Sequence, residues 1–150
     1  MSNTFTSTIT ESWTGDTGTL DSTKTLTIGS ITDVTKRVVN LTTAVVTLAQ
    51  FAATVGTSAN AHDKDLVKYV RITNLGAALV TLGIIGEALC LTYGLNAGES
   101  FVLGQTADTF LPENDQDPSH SLSSADIETI EAQASSGTIA VEIVIAATAS

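Results

Sequence analysis

Cysteine, proline, basic residues and aromatics are all scarce in this chain of 150 residues. A single cysteine, Cys90, excludes an intrachain disulfide and a cysteine-rich metal site. The only prolines, Pro112 and Pro118, fall in one polar stretch, so the presumptive strands keep all their backbone N–H donors. Six Lys and Arg against sixteen Asp and Glu leave a formal charge of -10, which argues against an extensive phosphate-binding surface. The basic groupings, Lys36-Arg37 and Lys64, Lys68 and Arg71, are too small for a nucleic-acid groove. Long apolar runs are missing too. Leu75 to Leu95 carries Glu87 and four glycines, and Thr138 to Ala149 is short and broken by Glu142, so neither is a membrane-spanning helix. The start, Met1-Ser2-Asn3-Thr4-Phe5, lacks the basic and apolar regions of a secretory signal. The expectation is a soluble protein with no nucleic-acid and no membrane partner.

What is plentiful is serine and threonine, together roughly a quarter of the chain and above ordinary globular usage. Hydrophobic residues make up 43% and charged residues 15%, the reverse of a disordered chain. Threonine, valine and isoleucine are stiff at χ1 and fit a pleated strand better than a helix. Phe5 to Trp13 alternates, with Phe5, Ile9 and Trp13 on one parity, and predicts a half-buried strand. Gly15-Asp16-Thr17-Gly18 is turn chemistry, and Leu20 to Ile31 continues the alternation. Ile31 to Leu41 reads as a strand; Ala44 to Phe51 fits a strand or a short helix, with β-branched residues favouring the strand. Val55 to Lys64 is expected to be a loop. Leu66 to Thr73 is the clearest strand, followed by a turn at Asn74-Leu75-Gly76 and an apolar strand, Ala77 to Ile85, returning beside it. Ala88 to Leu95 with Ser100 to Leu103, and Ile127 to Ala134 with Thr138 to Ile145, read as two further hairpins. Gln105 to Ser124 is acidic and predicts a long projecting loop. The sum is an all-β, antiparallel β-sandwich, jelly-roll-like, of about eight strands with a long acidic loop near 105–124. One domain is expected over 19–150, with 1–18 an extended arm or an edge strand.

No motif in the chain points to catalysis. A Gly-rich phosphate loop, a GxSxG elbow, HExxH and CxxC are all absent from the sequence. Cys90, between Leu89 and Leu91, is expected to be a buried small hydrophobe. His62 is flanked by Asp63; a carboxylate there could orient a general base, but a solvated loop histidine is the expectation, and His120 is read alike. Asp108, Glu113, Asp115 and Asp117 offer oxygen donors without the glycine and distal glutamate of an EF-hand, and read as a solvated loop. Asn40-Leu41-Thr42 is a glycosylation sequon only in a secreted chain. Tyr69 and Tyr93 read as core or interface residues. No catalytic, cofactor-binding or metal residue is assigned, no cofactor is expected, and the chain is read as a non-enzyme.

The segments Lys68-Tyr69-Val70-Arg71-Ile72-Thr73-Asn74-Leu75-Gly76, Val80-Thr81-Leu82-Gly83-Ile84 and Leu95-Asn96-Ala97-Gly98-Glu99-Ser100-Phe101-Val102-Leu103 form one pattern. With Ile130 to Thr138 and Val141 to Ile145, they resemble small virion structural proteins of tailed bacteriophages over roughly the C-terminal 80 residues. The resemblance implies a β-sandwich that assembles onto a virus particle, as a capsid decoration (cement) or minor capsid protein. It also implies localisation in the virion after assembly in the host cytoplasm. The expected partners are copies of itself, a homotrimer being the expected state, and the major capsid protein or other virion proteins. Such proteins act through surfaces, so no site residue transfers. A tail, neck or fibre-associated protein is the alternative. A carbohydrate-binding sandwich is the third reading, for which only Trp13, Tyr69 and Tyr93 could serve.

Overall fold

Threonine-rich alternation in the first thirty residues and valine/isoleucine-rich alternation thereafter build two different kinds of sheet in the computed structural model. It describes residues 3–16, 18–52, 56–86, 90–104 and 127–148. The expected acidic loop at 105–124 lies outside these residues. The elements are β1 (Thr4–Gly15), β2 (Gly18–Gly29), β3 (Ile31–Leu41), β4 (Val46–Ala52), β5 (Ala61–Asp63), β6 (Val67–Asn74), β7 (Val80–Gly86), β8 (Cys90–Leu95), β9 (Ser100–Leu103), β10 (Ile127–Ala134) and β11 (Ile139–Thr148). Every regular element among the described residues is a strand, so the chain is all-β.

Two sheets face each other, one ordered β5-β4-β10-β7-β8 and the other β3-β11-β6-β9; β1 and β2 form a separate two-stranded sheet. Leaving out β5, each strand of one large sheet has its neighbour in sequence in the other: β3 and β4, β6 and β7, β8 and β9, β10 and β11. That is the strand order of a jelly roll. All pairs are antiparallel except β5, which runs parallel to β4 through Gln50↔Ala61 to Ala52↔Asp63. This short strand falls inside the expected loop Val55 to Lys64, where three residues of low β-propensity give no periodic signal.

The three expected hairpins are also corrected. β6 does not pair with β7, nor β8 with β9, nor β10 with β11; each connection crosses between sheets. In each pair both strands carry an apolar face, and the connection turns those faces toward each other, so the strands stack and do not share a ladder. Val70 and Ile72 thus meet Val80, Leu82 and Ile84, while Ile130 and Ala132 meet Val141, Ile143 and Ile145 in one core. Burial of a side chain of this size contributes roughly 1.5–3 kcal/mol.

Asn74, at the end of β6, is the one buried polar side chain among the described residues. Its Nδ2 donates to the Ala78 carbonyl at 2.8 Å and to the Leu95 carbonyl at 3.0 Å, and its Oδ1 accepts from the Gly76 N–H at 2.9 Å. One amide thereby satisfies the backbone of two crossovers that have no ladder to satisfy them. Gly76 is confined as well: a Cβ there would lie 2.7 Å from Ile139 Cγ2.

Candidate interaction surface

β1 and β2 pair over their whole length, from Thr4↔Gly29 to Gly15↔Gly18. Because side chains alternate, one face of this ribbon holds Thr4, Thr6, Thr8, Thr10, Ser12 and Thr14 against Thr19, Asp21, Thr23, Thr25 and Thr27. The other carries Phe5, Ile9, Glu11 and Trp13 opposite Ile28, Lys24, Ser22 and Leu20. Cross-strand threonine pairs such as Thr8 and Thr25, whose hydroxyls lie 3.4 Å apart, stabilise such a ladder without a core.

Only the base of the apolar face is covered. Ile28 and Ile31 pack with Tyr69 and Ala146 on the outer face of the four-stranded sheet, and Phe5, Leu26 and Val102 close around them. The Phe5 and Tyr69 rings lie 4.8 Å apart, and the Ser7 hydroxyl donates to the Tyr69 hydroxyl at 3.4 Å. Beyond Ser7 the face is open: Ile9 is 37% exposed, Trp13 53% and Leu20 59%. The half-buried strand expected over Phe5 to Trp13 is therefore buried only at its foot, because the sheet beneath it ends before the ribbon does. The Trp13 ring folds over Gly15, where any side chain would collide with it.

The outer face of the four-stranded sheet continues from this foot. On edge strand β3, Val34 and Val38 point outward and are 50% and 58% exposed, with Lys36 between them. Lys36 Nζ lies 2.8 Å from one Glu142 oxygen, and Arg71 Nη2 donates to the other at 2.5 Å. Those contacts hold the Glu142 carboxyl below its usual range, the hydrogen bond from Lys36 contributing most. Two cations on one carboxylate leave this patch with a surplus positive charge in a chain whose net charge is -10.

The residues singled out from the sequence are dispersed. Lys36 and Arg37 point to opposite faces of β3, and Arg37 Nη2 donates to the Leu48 carbonyl at 2.6 Å inside the sandwich edge. Lys68 donates to the Asp65 carbonyl at 3.1 Å. His62 is not the expected solvated loop histidine. It lies on β5, half-buried, 6.2 Å from the Phe51 ring, with its Nε2 buried and without a hydrogen-bond partner. Burial first, then the Arg37 charge, lowers its pKa below the ordinary 6.5. Asp63 does not orient it, since Asp63 Oδ1 accepts the Asp65 N–H at 3.0 Å. Cys90, expected in the core, is exposed, because it opens edge strand β8 on the outward parity opposite Ile85. Tyr69 is buried under the ribbon, whereas Tyr93 is exposed beside Phe101, with ring centroids 5.1 Å apart. Asp108, Glu113, Asp115, Asp117 and His120 lie outside the described residues.

Among the described residues no three His, Cys, Asp or Glu side chains cluster as a metal-binding group. A shallow depression of about 150 Å³ on the outer face of the five-stranded sheet, over Gly83, Cys90 and Thr92, is smaller than the ~300 Å³ of small-ligand pockets. No helix among the described residues is long and apolar enough to cross a membrane. The sequence did signal the open ribbon face, through Phe5, Ile9, Trp13 and Leu20 at strand spacing. It did not show that only the foot is covered, nor that Val34 and Val38 share the surface beside it. No protein family, curated protein or solved structure matches the chain.

Proposed function

We propose that this protein is a structural component of a virus particle, a decoration (cement) protein that binds the capsid surface as a homotrimer and acts through contact surfaces. The observation that carries this reading is the ribbon: Ile9, Trp13 and Leu20 stand exposed on a projecting two-stranded sheet anchored at one end. An isolated two-stranded ribbon is marginally stable in water, so an apolar face of this length gains most when something covers it. The jelly-roll order supports the same reading by fold-level analogy, since that architecture recurs in viral capsid domains and also in lectins. Few charges and many small hydroxyl side chains make the surface cheap to desolvate.

The test is co-sedimentation of the purified protein with empty expanded phage capsids that lack decoration. Saturable binding at a fixed ratio to the major capsid protein is the expected result. Binding to tails or necks and not to shells would move the protein to the tail-associated alternative. Binding to neither, with capture on a glycan array, would replace the reading with a carbohydrate-binding one.

A further inference from the structure

The ribbon and the outer face of β3 carry the same pattern with opposite charge. Along β1 the open face reads Ile9, Glu11, Trp13, apolar–acid–apolar at every second residue. Along β3 the outward face reads Val34, Lys36, Val38, apolar–base–apolar at the same interval. A strand rises about 3.3 Å per residue, so the apolar pair on each strip is ~13 Å apart with the charge at its midpoint. The acceptor strip has the charge to match: Lys36 and Arg71 over Glu142 leave one positive charge for Glu11 to neutralise. Neither strip is covered within the chain, since Ile9, Trp13, Val34 and Val38 are all exposed.

We infer that the distal ribbon of one copy lies across the outer face of β3 in a second copy, with Ile9 and Trp13 against Val34 and Val38 and Glu11 against Lys36. The two strips lie on different parts of the surface, so the contact is head-to-tail and each copy is donor and acceptor at once. A head-to-tail contact whose rotation closes makes a ring, which ties the subunits of the trimer proposed above; the inference rests on that reading for its ring size but not for its contact. Face-to-face packing of the two strips buries the ribbon's open face and completes on β3 what the ribbon's foot begins on Ala146 and Tyr69.

The test uses the full chain with Cys90→Ser, which removes the exposed thiol. Glu11→Cys and Lys36→Cys variants are purified separately and oxidised alone and mixed, since the midpoint positions meet whichever way the strands run. A disulfide-linked pair formed only in the mixture is the expected result. Crosslinking of Glu11→Cys with itself would show ribbon-to-ribbon packing and overturn the contact; so would no crosslink in any sample. In parallel, sedimentation equilibrium should show Trp13→Ser weakening self-association at least about 100-fold. Glu11→Lys should weaken it roughly tenfold, with recovery when Lys36→Glu is added. Loss of capsid binding by Trp13→Ser in a protein that is already a monomer would assign the ribbon to the shell and defeat the inference. Intact head-to-tail oligomers that ignore capsids would leave the contact standing and defeat the decoration reading.

Discussion

Strands β1 and β7 both follow an alternating pattern, yet they end in opposite environments. In β7, Val80, Leu82 and Ile84 are buried against the facing sheet, and the intervening positions include small residues, Thr81 and Gly83. In β1, Ile9 and Trp13 hold the equivalent positions and stay exposed, and nearly every intervening position is threonine. Alternation alone specifies a strand; the identity of the off-face residues decides how much support the strand needs from outside itself. Threonine on both strands of the ribbon supplies cross-strand packing and χ1 restriction locally. The jelly roll has no such local source and depends on crossovers that hold its faces together.

The comparison breaks most sharply at Asn74. Asn74→Leu removes three hydrogen bonds and leaves the Ala78 and Leu95 carbonyls and the Gly76 N–H buried without partners. The expected loss is about 3 kcal/mol or more, read by urea unfolding. The ribbon, with no comparable pin, has no single polar residue whose loss should cost as much. Gly76→Ala comes next. Its Cβ would press on Ile139 Cγ2 at 2.7 Å, and an overpacked core site of this kind costs about 1–3 kcal/mol. An unchanged urea midpoint would mean that the crossover tolerates movement and is less rigid than the ribbon foot.

Phe5→Ala sharpens the contrast from the other side. It empties the foot of the ribbon over Tyr69, half-exposed in origin, and should cost about 1–2 kcal/mol. Amide exchange should then accelerate across β1 and β2 while β7 and β10 keep their protection. Uniform acceleration in both regions would show that ribbon and jelly roll unfold as one unit. Acid gives a milder test confined to the jelly roll. His62 has a lowered pKa in the folded state, so the unfolded chain protonates first and stability falls as pH drops below about 6.5. Glu142, lowered by Lys36, adds a second loss at lower pH, as its folded carboxylate is titrated. His62→Gln should remove the first of these declines and leave the second. The smallest effect is expected at the ribbon tip, where Trp13→Thr should change the stability of the free protein by no more than ~0.5 kcal/mol.

Much of the strand inventory was legible because β-branched residues mark the core strands: β3, β6 and β11 match the segments read from Ile31 to Leu41, Leu66 to Thr73 and Thr138 to Ile145. The turn at Gly15 to Gly18 and the ribbon it closes were equally plain. Pairing was not. A short polar connection such as Ser135-Ser136-Gly137 serves a hairpin and a crossover alike, and what separates them is whether both flanking strands own a face to bury, a three-dimensional condition. Asn74 looked like a turn residue, and its use as an internal pin depends on the Leu95 carbonyl arriving from 21 positions away. Cys90 misled for the opposite reason: its apolar neighbours Leu89 and Leu91 hide the fact that β8 is an edge. The surface reading fared similarly. Ile9 and Trp13 announced an apolar ribbon face, while the outward set of β3 was masked by Val39 and Leu41, which fill the core from the same strand.

Strand β11 lies between β3 and β6, so the four-stranded sheet pairs Ile31 with Thr148 across nearly the whole chain. During synthesis the ribbon can zip within microseconds of leaving the ribosome, while the sheet that seats it must wait until its central strand has emerged. For that interval the nascent chain presents Phe5, Leu26 and Ile28 as well as Ile9 and Trp13 to the cytosol, a longer greasy stripe than the finished molecule shows. Translation speed past β10 therefore sets how long each newborn copy is open to premature coupling with its siblings on the same messenger.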